Sequence, residues 1–172
     1  KKKRNYLKKT KWIDNPIKLV KFKDVDIVVE LVGGNSSFVK KLVETAIRNK
    51  KHVITANKSL MAIHGNHLSK LAEKFKVNLE YEASVGGGIP IIRSVKEGLI
   101  GNQINKIRGI LNGTSNFILS EMEKTGKSFK EIVKNAQLLG YAETNPKADL
   151  NGEDVGSKIR ILSSICFNKL IS

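Results

Sequence analysis

The hydrophobic pattern changes character at Asp26. Before it, residues 1–25 are polar and very basic. After it, Ile27, Val28, Val29, Leu31 and Val32 make a short, nearly continuous apolar run, the pattern of a strand buried on both faces. Gly33 and Gly34 break that run, and Asn35-Ser36-Ser37 offers N-cap residues. Phe38 to Lys50 has helical spacing, with Phe38, Leu42, Val43, Ala46 and Ile47 on one face. A second strand is expected at His52 to Thr55, a helix at His67 to Phe75 and a strand at Val77 to Ala83. Strand, helix and strand within about thirty residues make a βαβ unit of a parallel sheet.

Past Ala83 the punctuation differs. Ser84-Val85-Gly86-Gly87-Gly88 is a flexible turn, and a helix is expected to start near Pro90. Ile104 to Leu111 alternates roughly and predicts a strand of a second sheet. Asn112-Gly113-Thr114-Ser115 is a further turn or cap. Helices are expected at Asn116 to Lys124, Ser128 to Leu139 and Gly152 to Cys166. The pattern therefore predicts an α/β chain: a partial Rossmann-like, doubly wound domain over residues 1–83, then part of an α+β domain over residues 84–172.

The chain has 172 residues, enough for one sizeable core or pieces of two domains. It starts without an initiator Met and is expected to be a fragment. No apolar run reaches the roughly 20 residues that cross a bilayer, and no signal peptide is recognisable, so a cytoplasmic protein without membrane contact is expected. The formal charge of +15 raises a nucleic-acid-binding reading. Three features argue against it. Most basic residues are Lys, many are interspersed with Glu along helices, and aromatics make up only 6%. A Lys-rich solvated surface is the expected reading. Cys166, the single cysteine, lies in an apolar stretch and is expected to be a buried inert thiol.

Three turns follow apolar strands: Gly33-Gly34, Ala56-Asn57-Lys58 and Gly86 to Gly88. In open α/β sheets, ligands bind beyond the carboxyl ends of the strands. Lys58 at such a position could meet a phosphate, a carboxylate or a polarised carbonyl, or be an ordinary surface lysine. The segment from Gly140 to Lys158 gathers four carboxylates ahead of a lysine. Asp154 and Lys158 are four apart and share a helix face; the residues alone favour a surface ion pair worth a few tenths of a kcal/mol. Glu143, Asp149 and Asp154 have no His or Cys beside them and do not form a metal box. His52, His64 and His67 are expected to be a strand residue and two exposed ones.

Four motifs in order carry a family resemblance. They are Val53 to Lys58, Glu82 to Pro90, Gly109 to Leu119 and Gly140 to Lys158, with Asp26 to Gly34 adding to them. Together they resemble homoserine dehydrogenase. That resemblance implies NAD- or NADP-dependent interconversion of L-homoserine and aspartate 4-semialdehyde, in threonine and methionine biosynthesis. It makes the second domain the substrate and dimerisation domain, and implies a homodimer for the full-length protein. It implies that Lys158 gives a proton to the aldehyde oxygen, and that Asp149 orients Lys158 or a water. Glu143 and Asp154 would hold the substrate ammonium. Lys58 would meet both substrate and cofactor, with Gly33, Gly34 and Gly140 along the cofactor. Glu82, Val85, Gly87 and Ile89 would form a monovalent cation site, for Na+ or K+, largely from backbone carbonyls.

The family's Gly-rich phosphate fingerprint is absent and is expected upstream. Lys1-Lys2-Lys3-Arg4 could then hold a 2′-phosphate, though a frayed basic end is the favoured reading. Two rivals remain: a related nicotinamide enzyme acting on another small amino acid or aldehyde, and a basic nucleic-acid-binding domain.

Overall fold

A computed structural model describes residues 10–167; the basic cluster at residues 1–4 lies outside them. Three short strands form one parallel sheet in the order β1-β2-β3: β1 (Ile27–Glu30), β2 (His52–Thr55) and β3 (Leu79–Glu80). Val28 pairs with Val53 in register, and Val53 with Leu79. The crossovers are α2 (Ser37–Arg48), between β1 and β2, and α3 (Lys58–Phe75), between β2 and β3. Ahead of them lies one short turn, α1 (Pro16–Leu19).

Helix α2 forms because Ser36 caps it, Oγ accepting from the Val39 N–H, and because Val39, Leu42, Val43, Ala46 and Ile47 fall on one buried face. Phe38, expected on that face, is 43% exposed, and Val39 takes its place. Helix α3 starts at Lys58, nine residues before the expected start. Gly65 interrupts the apolar spacing in the sequence, yet it lies on the inner face, where a Cβ would sit 3.2 Å from Met61 Cε. Each fully buried aliphatic side chain in this layer contributes about 1.5–3 kcal/mol.

Strand β1 is not buried on both faces. Val28 and Glu30 point into the core, while Ile27 is 55% and Val29 57% exposed. Helices cover one face of the sheet among the described residues, so the apolar run marks strand identity but not two-sided burial. Strand β3 is only two residues long, because a 3-10 turn at Glu82–Ser84 replaces its expected end. Residues 103–112 form no strand. No described segment lies alongside to complete a ladder, and backbone groups without a partner strand are not a sheet. Instead Ile107 and Leu111 lean on the main core.

Beyond the sheet, α4 (Ile91–Arg93) runs into a wider turn at Ser94–Gly98. Helices α5 (Gly113–Thr125) and α6 (Phe129–Leu138) close a second small core of Ile118, Ile132, Ala136 and Ala142. The short α7 (Lys147–Leu150) leads into α8 (Glu153–Phe167). Helix α8 packs on α3 and sends Ile161 and Leu162 into the main core. That docking brings the acidic segment to the strand ends. Cys166, near the end of α8, is a half-buried free thiol whose pKa burial pushes up. No helix among the described residues is long and apolar enough to cross a membrane.

Candidate active site

Parallel strands point their carboxyl ends at one edge, and all three turns singled out in the sequence gather there. They line a cleft of about 310 Å³, with Gly33 and Gly34 after β1, Asn57 and Lys58 after β2, and Gly87 after β3. Lys158 reaches the same cleft from α8. Gly33 and Gly34 have φ of 80° and 74°, conformations that L side chains rarely adopt. A Cβ at either position, or at Gly87, would meet no atom within 4 Å, so backbone faces open space there.

A buried network welds the first two turns together. Glu30 is 1% exposed. Its Oε1 accepts from the backbone N–H of Val32 at 2.7 Å and of Gly33 at 3.1 Å. Its Oε2 accepts from Thr55 Oγ1 at 2.5 Å. Thr55 Oγ1 in turn accepts from the Asn57 N–H at 3.0 Å. Asn57 Nδ2 donates to the Gly34 carbonyl at 2.6 Å, while its Oδ1 caps α3 at the Leu60 N–H, 3.0 Å away.

The second network carries the charge. Asp154, in the first turn of α8, is 4% exposed and lies between two ammonium groups. Its Oδ1 pairs with Lys58 Nζ, and its Oδ2 with Lys158 Nζ at 2.6 Å. The surface ion pair expected from the i,i+4 spacing is therefore a three-membered cluster around a buried carboxylate, because α8 docks on α3 and brings Lys58 to it. Lys158 also donates to the Leu111 carbonyl at 2.7 Å. Asn112 Nδ2 donates to Asp154 Oδ2 at 2.9 Å and to Asp149 Oδ1 at 2.7 Å. Burial pushes the Asp154 carboxyl up, but hydrogen bonds from Lys158, Lys58 and Asn112, with the Lys58 charge, outweigh it and hold the pKa at about 2. Asp154 is thus ionised at neutral pH, with two cations converging on the mouth of a glycine-lined cleft.

Sequence profiles of two families cover almost the whole chain. One described as "Homoserine dehydrogenase, NAD binding domain" matches residues 1–82, and one described as "Homoserine dehydrogenase" matches residues 90–172. The chain belongs to the homoserine dehydrogenase family. Homoserine dehydrogenase of Neisseria gonorrhoeae is 52% identical over 156 residues, which are 91% of this chain and 36% of that protein. A crystal structure of homoserine dehydrogenase from Thiobacillus denitrificans superposes with a TM-score of 0.84 at 49% identity, over 90% of this chain and 36% of that one. A hyperthermophilic archaeal homoserine dehydrogenase in complex with NADPH superposes with a TM-score of 0.84 at 27% identity, over 92% of this chain and 49% of that one. The chain thus spans about a third of the length of the curated relatives first matched.

Of the residues that the homoserine dehydrogenase resemblance singles out, Lys58, Lys158, Asp154 and Asp149 come together. Asp149 makes no direct bond to Lys158 and is joined to it through Asn112 and Asp154. Gly33, Gly34 and Gly87 line the cleft; Glu143 and Gly140 are exposed and lie outside its lining. Gly140, with φ of 79°, ends the turn after α6. The Glu82 carboxylate accepts from the N–H groups of Ile92 and Arg93 at 2.9 and 2.8 Å. The carbonyls of Glu82 and Ile89 each accept one backbone bond, from Val85 and Ile91. The three histidines, in β2 and α3, stand apart from the cleft. Sequence reasoning missed Glu30 and Asn112. A carboxylate inside an apolar strand three residues ahead of a Gly-Gly turn was the available signal for Glu30. An Asn beginning a predicted cap was that for Asn112.

Proposed function

We propose that this chain is the catalytic region of an enzyme that interconverts L-homoserine and aspartate 4-semialdehyde with a nicotinamide cofactor. The observation that carries the reading is the Lys58–Asp154–Lys158 cluster at the carboxyl edge of the parallel sheet. Gly33, Gly34 and Lys58, with Gly140, would hold NADP or NAD, which accepts or supplies the hydride. The open space over the two glycines fits such a group.

Lys158 gives a proton to the carbonyl oxygen as alkoxide character develops there, and takes it back in the reverse direction. Asp154 and the Leu111 carbonyl hold that ammonium. Asp154, together with Glu143, would hold a substrate ammonium, and Asp149 steadies the cluster. A monovalent cation, Na+ or K+, suits the carbonyl oxygens of Glu82, Val85, Gly87 and Ile89, since a carbonyl that accepts one hydrogen bond keeps a second lone pair. We extend the proposal to a nucleotide-binding part over residues 1–83, a substrate part over residues 84–172 and a homodimer of the whole protein.

The test uses the full-length parent protein with L-homoserine and either cofactor, following reduced nicotinamide at roughly 340 nm. Lys158→Ala is expected to lower kcat by about 100-fold or more with folding intact. Equal activity in the variant removes Lys158 from the chemistry. A wild type inactive with homoserine but active on another amino-bearing alcohol moves the reading to a related dehydrogenase.

A further inference from the structure

Asn112 stands at a junction that no assignment of site residues includes. It is 6% exposed and caps α5, its Oδ1 accepting from the Ser115 N–H at 2.7 Å. That bond fixes which way the amide faces. The NH2 group must lie on the other side, and it reaches one carboxylate oxygen of Asp149, from α7, and one of Asp154, from α8. Both amide donors are used, one for each carboxylate, while the oxygen serves the helix end. Its neighbour Leu111 gives its carbonyl to Lys158. Residues 111 and 112 therefore grip the ammonium of Lys158 directly and its carboxylate partner beside it.

We infer that Asn112 is a positioning residue of the proposed active site: its amide holds Asp154, and through Asp154 the ammonium of Lys158, in the orientation that proton transfer needs. This rests on the reading of the site given above. Two substitutions separate positioning from capping. Asp and Ser cap helices about as well as Asn, so Asn112→Asp and Asn112→Ser both keep the α5 terminus. Asp turns the donor into an acceptor facing two carboxylates, and Ser is too short to reach them.

Both variants of the full-length protein are assayed for kcat and KM, and the Asp154 carboxyl is titrated by 13C NMR. The groups facing that carboxyl are Lys58 from α3, Lys158 on α8, Asn112 ahead of α5, and Asp149 across the same amide. The expected result is a fall in kcat of at least about tenfold in both variants, with cofactor KM within about twofold. The Asp154 titration, at about 2 in the wild type, should move upward in both, further in Asn112→Asp. Wild-type kcat in both variants overturns the inference, whether or not the titration moves, and makes Asn112 a helix cap alone. If the wild type itself turns over no homoserine, the functional reading fails separately. The titration then still decides the bridge: an upward move supports it, and an unmoved curve overturns it.

Discussion

Replacing Asp154 by Asn tests the charge cluster where its energy is largest. The native carboxyl sits at about 2 against an ordinary 3.8. That difference corresponds to about 2.4 kcal/mol of preference for the ionised form in the folded protein. A lowered pKa contributes stability that is present above 3.8 and disappears as pH falls toward 2. By pH 3, about 1 kcal/mol of it is gone. Asp154→Asn removes the titrating group and leaves two ammonium groups facing a neutral amide, so the variant should be less stable at pH 7 by about 2–3 kcal/mol. The gap between wild type and variant should narrow by about 1 kcal/mol between pH 6 and pH 3. Urea unfolding of both proteins across that range measures it, because carboxylates common to both cancel in the difference. A gap that stays constant over the range refutes the argument that Asp154 is held ionised by its two lysines.

Other consequences are simpler to test. Thr55→Val removes the donor to Glu30 Oε2 and the acceptor of the Asn57 N–H, both buried. It should cost about 2–3 kcal/mol in denaturant unfolding; a loss below half of that would mean the network relaxes around the gap. Gly34→Ala meets no atom but forces a side chain into φ of 74°, and should lower stability by about 1–2 kcal/mol. Cys166, its pKa raised by burial, should react with iodoacetamide more slowly at pH 8 than a free thiol. A rate equal to that of glutathione would contradict its half-buried placement.

Periodicity made α2, β2, α6 and α8 readable to within a residue or two, because each carries a clean apolar face, and α2 and α6 also carry a capping side chain. It failed where tertiary context decides. Gly65 hid the first half of α3, since a glycine on an inner face looks like a break until the Met61 side chain is seen against it. The rough alternation from Ile104 to Leu111 read as a strand, yet a segment becomes one only beside a partner. Strand-end turns and their lysine were legible from the rule that ligands lie beyond the strands. By spacing alone, Asp154 was visible only as a helix neighbour of Lys158. Its bond to Lys58 spans 96 residues, and no local spacing encodes that contact. Glu30 escaped because a carboxylate in an apolar strand is easily passed over as an irregularity, whereas here it accepts three hydrogen bonds in the dry interior.

The chain of bonds from Glu30 through Thr55 and Asn57 to Gly34 also limits how the sequence can drift. Glu30 accepts three bonds, and the Thr55 hydroxyl both donates to it and accepts from the Asn57 N–H. A change at Glu30 or Thr55 strands a buried hydrogen-bonding group on the other. Thr55 to Ser is the one exchange that keeps both of its bonds; a larger departure must come with a compensating change at position 30. Residues 30 and 55 therefore behave as a single inherited character, expected to persist together or be replaced together among descendants of this protein.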